Sequence, residues 1–134
     1  MELREFYYDD YFDDIKRIYK SANWSAYLKD DEKLKNAFKN SIYLLGAFEQ
    51  NKLIGFIRCL GDGEHIIIIQ DLIVDSDYYR QGIGTKLFKS VSEKYKDVRS
   101  FCLFTDIHDI RDNEFYKSLG MVKIEEREII SYIR

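Results

Sequence analysis

The apolar positions Tyr11, Phe12, Ile15, Ile18, Tyr19 and Ala22 return at the spacing of one helical face, which predicts an amphipathic helix near the start of the chain. A short β-favouring run at residues 3–7 precedes it. A second helix is expected after Asp30 and Asp31, which offer N-caps ahead of Leu34, Ala37 and Phe38 on a shared face. Between the two lies Asn23-Trp24-Ser25-Ala26-Tyr27. The pattern then changes period. Residues 42–48 and 52–60 are β-favouring, and Glu49-Gln50-Asn51 between them is short enough only for a hairpin. A Gly61-Asp62-Gly63 turn feeds Ile66-Ile67-Ile68-Ile69-Gln70-Asp71-Leu72-Ile73-Val74. That nearly continuous apolar run predicts a strand covered on both faces, at the centre of the sheet.

The polar Asp75-Ser76-Asp77 follows, then Tyr78-Tyr79-Arg80-Gln81-Gly82-Ile83-Gly84, then a helix lined by Leu87, Phe88, Val91 and Tyr95. A strand at 101–105, a helix carrying Phe115, Tyr116 and Leu119 up to Gly120, and strands at 121–125 and 129–133 complete the chain. The order βααβββαβαββ reads as an α+β domain with a mixed sheet of about seven strands and four helices. No linker, repeat or low-complexity tract divides it, so residues 1–134 are expected to be one domain.

Composition narrows the partners. The 46% hydrophobic and 34% charged residues suit a packed core. The net charge is -3, with basic residues scattered among acidic ones, which argues against nucleic acid. No apolar run approaches the roughly 18 residues of a membrane span, so the expectation is a cytoplasmic protein with no membrane partner. Cys59 and Cys102 sit in apolar stretches outside any CxxC pair, and His65 and His108 lack metal-ligand spacing. They read as buried thiols and incidental histidines, with no metal.

The strand, glycine loop and helix around Gly82 carry the chemistry. A helix N-terminus has about four N–H groups without intrahelical partners, and with the peptide dipoles they favour an anion such as phosphate. Gly82 and Gly84 remove Cβ atoms from the approach, Thr85 adds a hydroxyl and Arg80 a charge. No Walker GxxxxGK sequence is present. The dinucleotide fingerprint GxGxxG fails at Leu87, and an antiparallel hairpin precedes the loop where a βαβ unit is required. A nicotinamide enzyme is therefore a poor fit.

These residues resemble the GNAT N-acetyltransferases, whose signature after the central strand is Gln or Arg, two residues, Gly, any residue, then Gly or Ala. Here the frame holds Gln81-Gly82-Ile83-Gly84, and a Phe-Tyr-x-x-x-Gly pattern follows as Phe115-Tyr116-Lys117-Ser118-Leu119-Gly120. The resemblance covers essentially the whole chain. There are two departures: the family's basic or amide residue falls at Tyr79, and its frequent proline is missing from Asp75-Ser76-Asp77.

The resemblance implies a GNAT-type fold and direct transfer of an acetyl group from acetyl-coenzyme A (acetyl-CoA), a cosubstrate, to an amine, with no covalent enzyme intermediate. It places Leu72, Ile73 and Val74 along the coenzyme through their main chain, beside a bulge that parts two strands. Tyr79, Arg80, Gln81, Gly82, Ile83, Gly84 and Thr85 form the phosphate loop, with Phe115 also on the coenzyme side. It makes Tyr116 the proton donor to the departing sulfur, a phenol of pKa about 10 being protonated at neutral pH; the alternative is one more aromatic of a helix face, beside Phe115 and Leu119. Asp71 interrupts the apolar strand, and a buried carboxylate needs a partner or a cleft. It is either the base or a structural group bonded to backbone or to Arg58; Asp106, Glu64 and a water-relayed base are the reserves.

On the acceptor side the resemblance brings Trp24, Tyr27, Arg58 and Asp62 into view. Trp24 is either a substrate contact or a cap on the core. Arg58 is expected to contact Asp62, Asp71 or a ligand anion. The acceptor expected is a primary amine on a small molecule, with a protein N-terminus or lysine as the alternative. A non-catalytic acetyl-CoA sensor is the rival from another class. The apolar residues 129–133 need cover, and a homodimer is expected there.

Overall fold

The computed structural model describes residues 1–134. The chain divides into two compact units, Met1–Leu103 and Phe104–Arg134. The first holds β1 (Glu2–Glu5), α1 (Tyr8–Ser21), α2 (Asp31–Lys39), β2 (Tyr43–Glu49), β3 (Lys52–Gly61), β4 (Ile66–Val74), α3 (Ile83–Lys94) and β5 (Ser100–Leu103). The strands lie in the order β1-β2-β3-β4-β5, antiparallel as far as β4 and parallel between β4 and β5.

The helices follow the sequence pattern. Ile15, Ile18 and Tyr19 of α1 and Leu34 and Phe38 of α2 are buried with Phe48, Phe56 and Ile73 of the sheet. Asp30 caps α2 by accepting the Lys33 N–H at 3.1 Å. Phe12 departs from the expected face and is 45% exposed, because α1 kinks at Tyr11 and the helical phase shifts there. On the sheet's other side α3 packs against β2, β3 and β4 and buries Ile83, Leu87, Phe88 and Val91.

The strand covered on both faces is β3, buried from Leu53 to Cys59. This corrects the central place expected for β4. β4 alternates buried residues with half-buried ones and the exposed Gln70, and its pairing with β5 ends at Ile69–Leu103. A register shift against β3 accompanies the change: Cys59 pairs with Ile69 and Arg58 with Asp71, so Gln70 is an extra residue in β4. In an uninterrupted strand Ile69 and Asp71 would share a face. The extra residue instead turns Asp71 onto the face of Arg58.

The second unit contains α4 (Ile110–Ser118) and a 3-10 turn at Ile124–Arg127. Asp109 caps α4 by accepting the Asp112 N–H at 2.9 Å, and Gly120, at φ +87°, follows its end. The strands expected at 121–125 and 129–133 do not form, leaving five strands where about seven were predicted. A β-favouring run becomes a strand only when another strand accepts its hydrogen bonds. Here Glu126 folds back to accept the Lys123 N–H at 3.0 Å, and Glu128 adopts φ +60°, so the chain turns. No helix is long and apolar enough to cross a membrane.

Candidate active site

The bulge at Gln70 builds the first half of the site. Arg58 Nε donates to Asp71 Oδ2 at 2.6 Å, and the Tyr19 hydroxyl donates to the same oxygen at 2.7 Å. The Arg58 guanidinium also donates to the Ala37 carbonyl at 3.3 Å and to Ser41 Oγ at 3.2 Å. Asp71 Oδ1 is buried and has no protein partner. Burial opposes the Arg58 charge, but the Asp71 carboxylate outweighs it and holds the guanidinium above its ordinary pKa. Burial, then the negative charge of Asp71, drive the Tyr19 phenol upward, so it stays protonated and acts as a donor.

Tyr19 links this pair to an aromatic group. Trp24 stacks on it at 6.0 Å between ring centroids, Tyr27 meets its edge at 5.2 Å, and Trp24 and Tyr27 are themselves 6.3 Å apart. The Tyr27 hydroxyl accepts from Gln70 Nε2 at 3.2 Å. Trp24 and Tyr27 also pack against the core, so the capping role weighed for Trp24 is present. Of the expected acceptor-side residues, Trp24, Tyr27 and Arg58 converge with Asp71. Asp62 stands apart, in the turn before β4. Its carboxylate accepts N–H bonds from Ile66, Glu64 and His65, in that order of influence, and is held well below the usual carboxylate range. Tyr19 and Gln70, which complete this cluster, carry no such signal in the sequence. Tyr19 is indistinguishable in sequence from any other aromatic of a helix face, and a bulge leaves no sequence mark.

The second half is the segment after β4. From Gln70 onward the β4 edge is free of β5, so Leu72, Ile73 and Val74 present main chain there. Tyr79, Arg80 and Gln81 are exposed, and Arg80 takes φ +64°. Gly82 is the N-cap of α3 at φ +75°, without a side-chain cap, and no acidic residue occupies the first turn. A Cβ on Gly82 would meet nothing within 4 Å, so its left-handed conformation, more than crowding within the chain, selects glycine. The N–H groups of Ile83, Gly84 and Thr85 head the helix; the Ile83 side chain is buried in the core, leaving it only its main chain to offer. These features fit a coenzyme: a free strand edge for its amide-bearing arm and an uncapped helix start for its phosphates. No group of three His, Cys, Asp or Glu side chains could hold a metal ion.

Phe115 and Tyr116 lie in the second unit on α4, edge to face at 5.1 Å. A cleft of about 480 Å³ lies elsewhere, between residues 5–9 and 35–44, and contains none of the expected site residues.

The chain matches the model of the Acetyltransferase (GNAT) family over residues 2–121 and belongs to that family. It is 31% identical over 115 residues to an uncharacterised N-acetyltransferase of Gracilaria tenuistipitata var. liui, an alignment covering 81% of this chain and 60% of that protein. It thus spans about 60% of the length of that curated relative. A GNAT family acetyltransferase from Streptococcus pneumoniae TIGR4 superposes with a TM-score of 0.81 at 27% identity, over 99% of this chain and 94% of that one. An aminoglycoside acetyltransferase from an uncultured soil metagenomic sample, solved with trehalose, shares the fold at a TM-score of 0.75 and 21% identity, over 99% and 94% of the two chains.

Proposed function

We propose that the chain transfers the acetyl group of acetyl-CoA, the cosubstrate of its family, directly to a primary amine of a small molecule. The observation that carries this reading is the free β4 edge running from Gln70 into the uncapped, glycine-led start of α3. The main-chain groups of Leu72, Ile73 and Val74 hold the coenzyme arm and one N–H donates to the thioester oxygen. Residues 79–85 hold the phosphates, and Phe115 lines the coenzyme. Tyr116 gives its proton to the departing sulfur.

Asp71 is the base in this account, acting through Oδ1, since Oδ2 already accepts from Arg58 and Tyr19. Trp24 and Tyr27 border the acceptor amine, while Arg58 positions Asp71. A small-molecule acceptor is supported by the shared fold of the aminoglycoside enzyme. The exposed Ile129, Ile130 and Ile133 support a homodimer, which the mass in solution tests.

The second reading is a coenzyme sensor without turnover, favoured by the engagement and burial of Asp71. Amine-dependent release of free thiol from acetyl-CoA separates the two. Turnover supports the transferase; binding without turnover across a broad amine panel supports the sensor.

A further inference from the structure

The residues after β4 begin on a buried carboxylate. Asp75 continues the ladder by donating its N–H to the Ile54 carbonyl at 2.8 Å, and its side chain is 4% exposed. A carboxylate in that position is costly unless both oxygens are satisfied. Oδ1 accepts the Asp77 N–H at 3.0 Å, and Oδ2 accepts Arg17 Nε at 3.1 Å. Arg17 lies on α1, far from Asp75 in sequence, and its other two nitrogens each donate as well: one to the Leu53 carbonyl at 2.6 Å, the other to Asp14. Asp14 in turn accepts the Leu53 N–H at 3.2 Å. One turn further along α1, Ser21 Oγ accepts the Ser76 N–H at 3.2 Å while donating to the Ile18 carbonyl at 2.8 Å.

Asp14, Arg17 and Ser21 stand at i, i+3 and i+7 on α1, one stripe of the helix. That stripe grips β3 through Leu53 and the start of the loop through Asp75 and Ser76. Further along the same loop, Arg80 and Gly82 take φ of +64° and +75°. A non-glycine residue in that region persists only where its surroundings fix it. The loop contains no proline to fix its backbone, and the side-chain bonds from α1 reach its first residues, Asp75 and Ser76.

We infer that Arg17 and Asp75 are positioning residues for the coenzyme: together with Ser21 they clamp the β4–α3 loop to α1 and hold the N–H groups at the start of α3 ready for phosphate. Neither touches the reacting atoms. The inference rests on the proposed reading of this loop as the coenzyme site.

The test measures the affinity of the whole chain for coenzyme A by calorimetry, kcat and KM for acetyl-CoA, thermal unfolding, and amide exchange of residues 76–82 without ligand. For Arg17→Met, displacement of the loop raises Kd and KM about tenfold, leaves kcat at saturation within about twofold, and speeds exchange of the loop amides. Asp75→Asn behaves alike, because the amide turns a donor toward Arg17. The double variant is no weaker than the worse single one, since the two act as one unit. Arg17→Lys, which keeps a charge for Asp75, recovers part of the affinity.

If Arg17→Met does not fold, Arg17→Lys and Ser21→Ala carry the same comparison with smaller shifts. Folded variants that bind coenzyme A like the unaltered chain overturn the clamp. An unaltered chain that does not bind coenzyme A overturns the site reading first, and the clamp with it.

Discussion

Arg58 Nε lies 2.6 Å from Asp71 Oδ2, with 6% and 0% of the two side chains exposed, and the bulge at Gln70 puts them opposite each other. Removing one member leaves the other charge buried and unpaired. Arg58→Met is expected to lower stability by about 3–5 kcal/mol in urea unfolding. Adding Asp71→Leu to Arg58→Met should recover part of that loss, because the orphaned charge is then gone. A double variant as unstable as the sum of the singles contradicts the pairing.

Gly82 holds φ +75° with open space where a Cβ would sit. An L-residue in the left-handed region costs about 1–2 kcal/mol, so Gly82→Val is expected to relax the start of α3 and to weaken coenzyme A binding by about tenfold or more. Calorimetry on the folded variant checks this, and unchanged affinity removes the loop from the site.

Trp24, the only tryptophan, stacks on Tyr19, which bonds Asp71. An amine entering beside Asp71 should change the tryptophan emission, saturating at the same concentration as the initial rate. An acceptor that supports turnover and leaves emission unmoved places its site elsewhere.

Much of this fold is legible in the sequence. Ile15, Ile18 and Tyr19 declare the first helix by their spacing, Asp30 its successor's cap, and Gly120 the end of α4. Arg58 and Asp71 stand out as charges in apolar strands, and burial does pair them. The bulge does not show, because Gln70 is one polar residue that any strand tolerates at an exposed position. Nor does the absence of strands at 129–133 show, because Ile129, Ile130 and Ile133 have the composition of a strand, while pairing depends on a partner that no local pattern names. Asp62 is a charge whose work is local: it holds three backbone N–H groups of its own turn.

Those three bonds make Asp62 more acidic in the folded chain than in the unfolded one. The folded state then binds fewer protons through the carboxylate range, and stability from Asp62 is present above about pH 4 and lost as the pH falls below it. Asp62→Ala should unfold at a lower temperature than the unaltered chain at pH 7, the gap narrowing steadily under acid conditions. A gap independent of pH contradicts the assignment.

The most direct test of the account is release of free thiol from acetyl-CoA, followed with and without a panel of small primary amines. Amine-dependent release is expected, falling sharply in Tyr116→Phe and Asp71→Asn while coenzyme A binding persists in both. Failure of the unaltered chain to bind acetyl-CoA, or binding with no release for any amine, contradicts it.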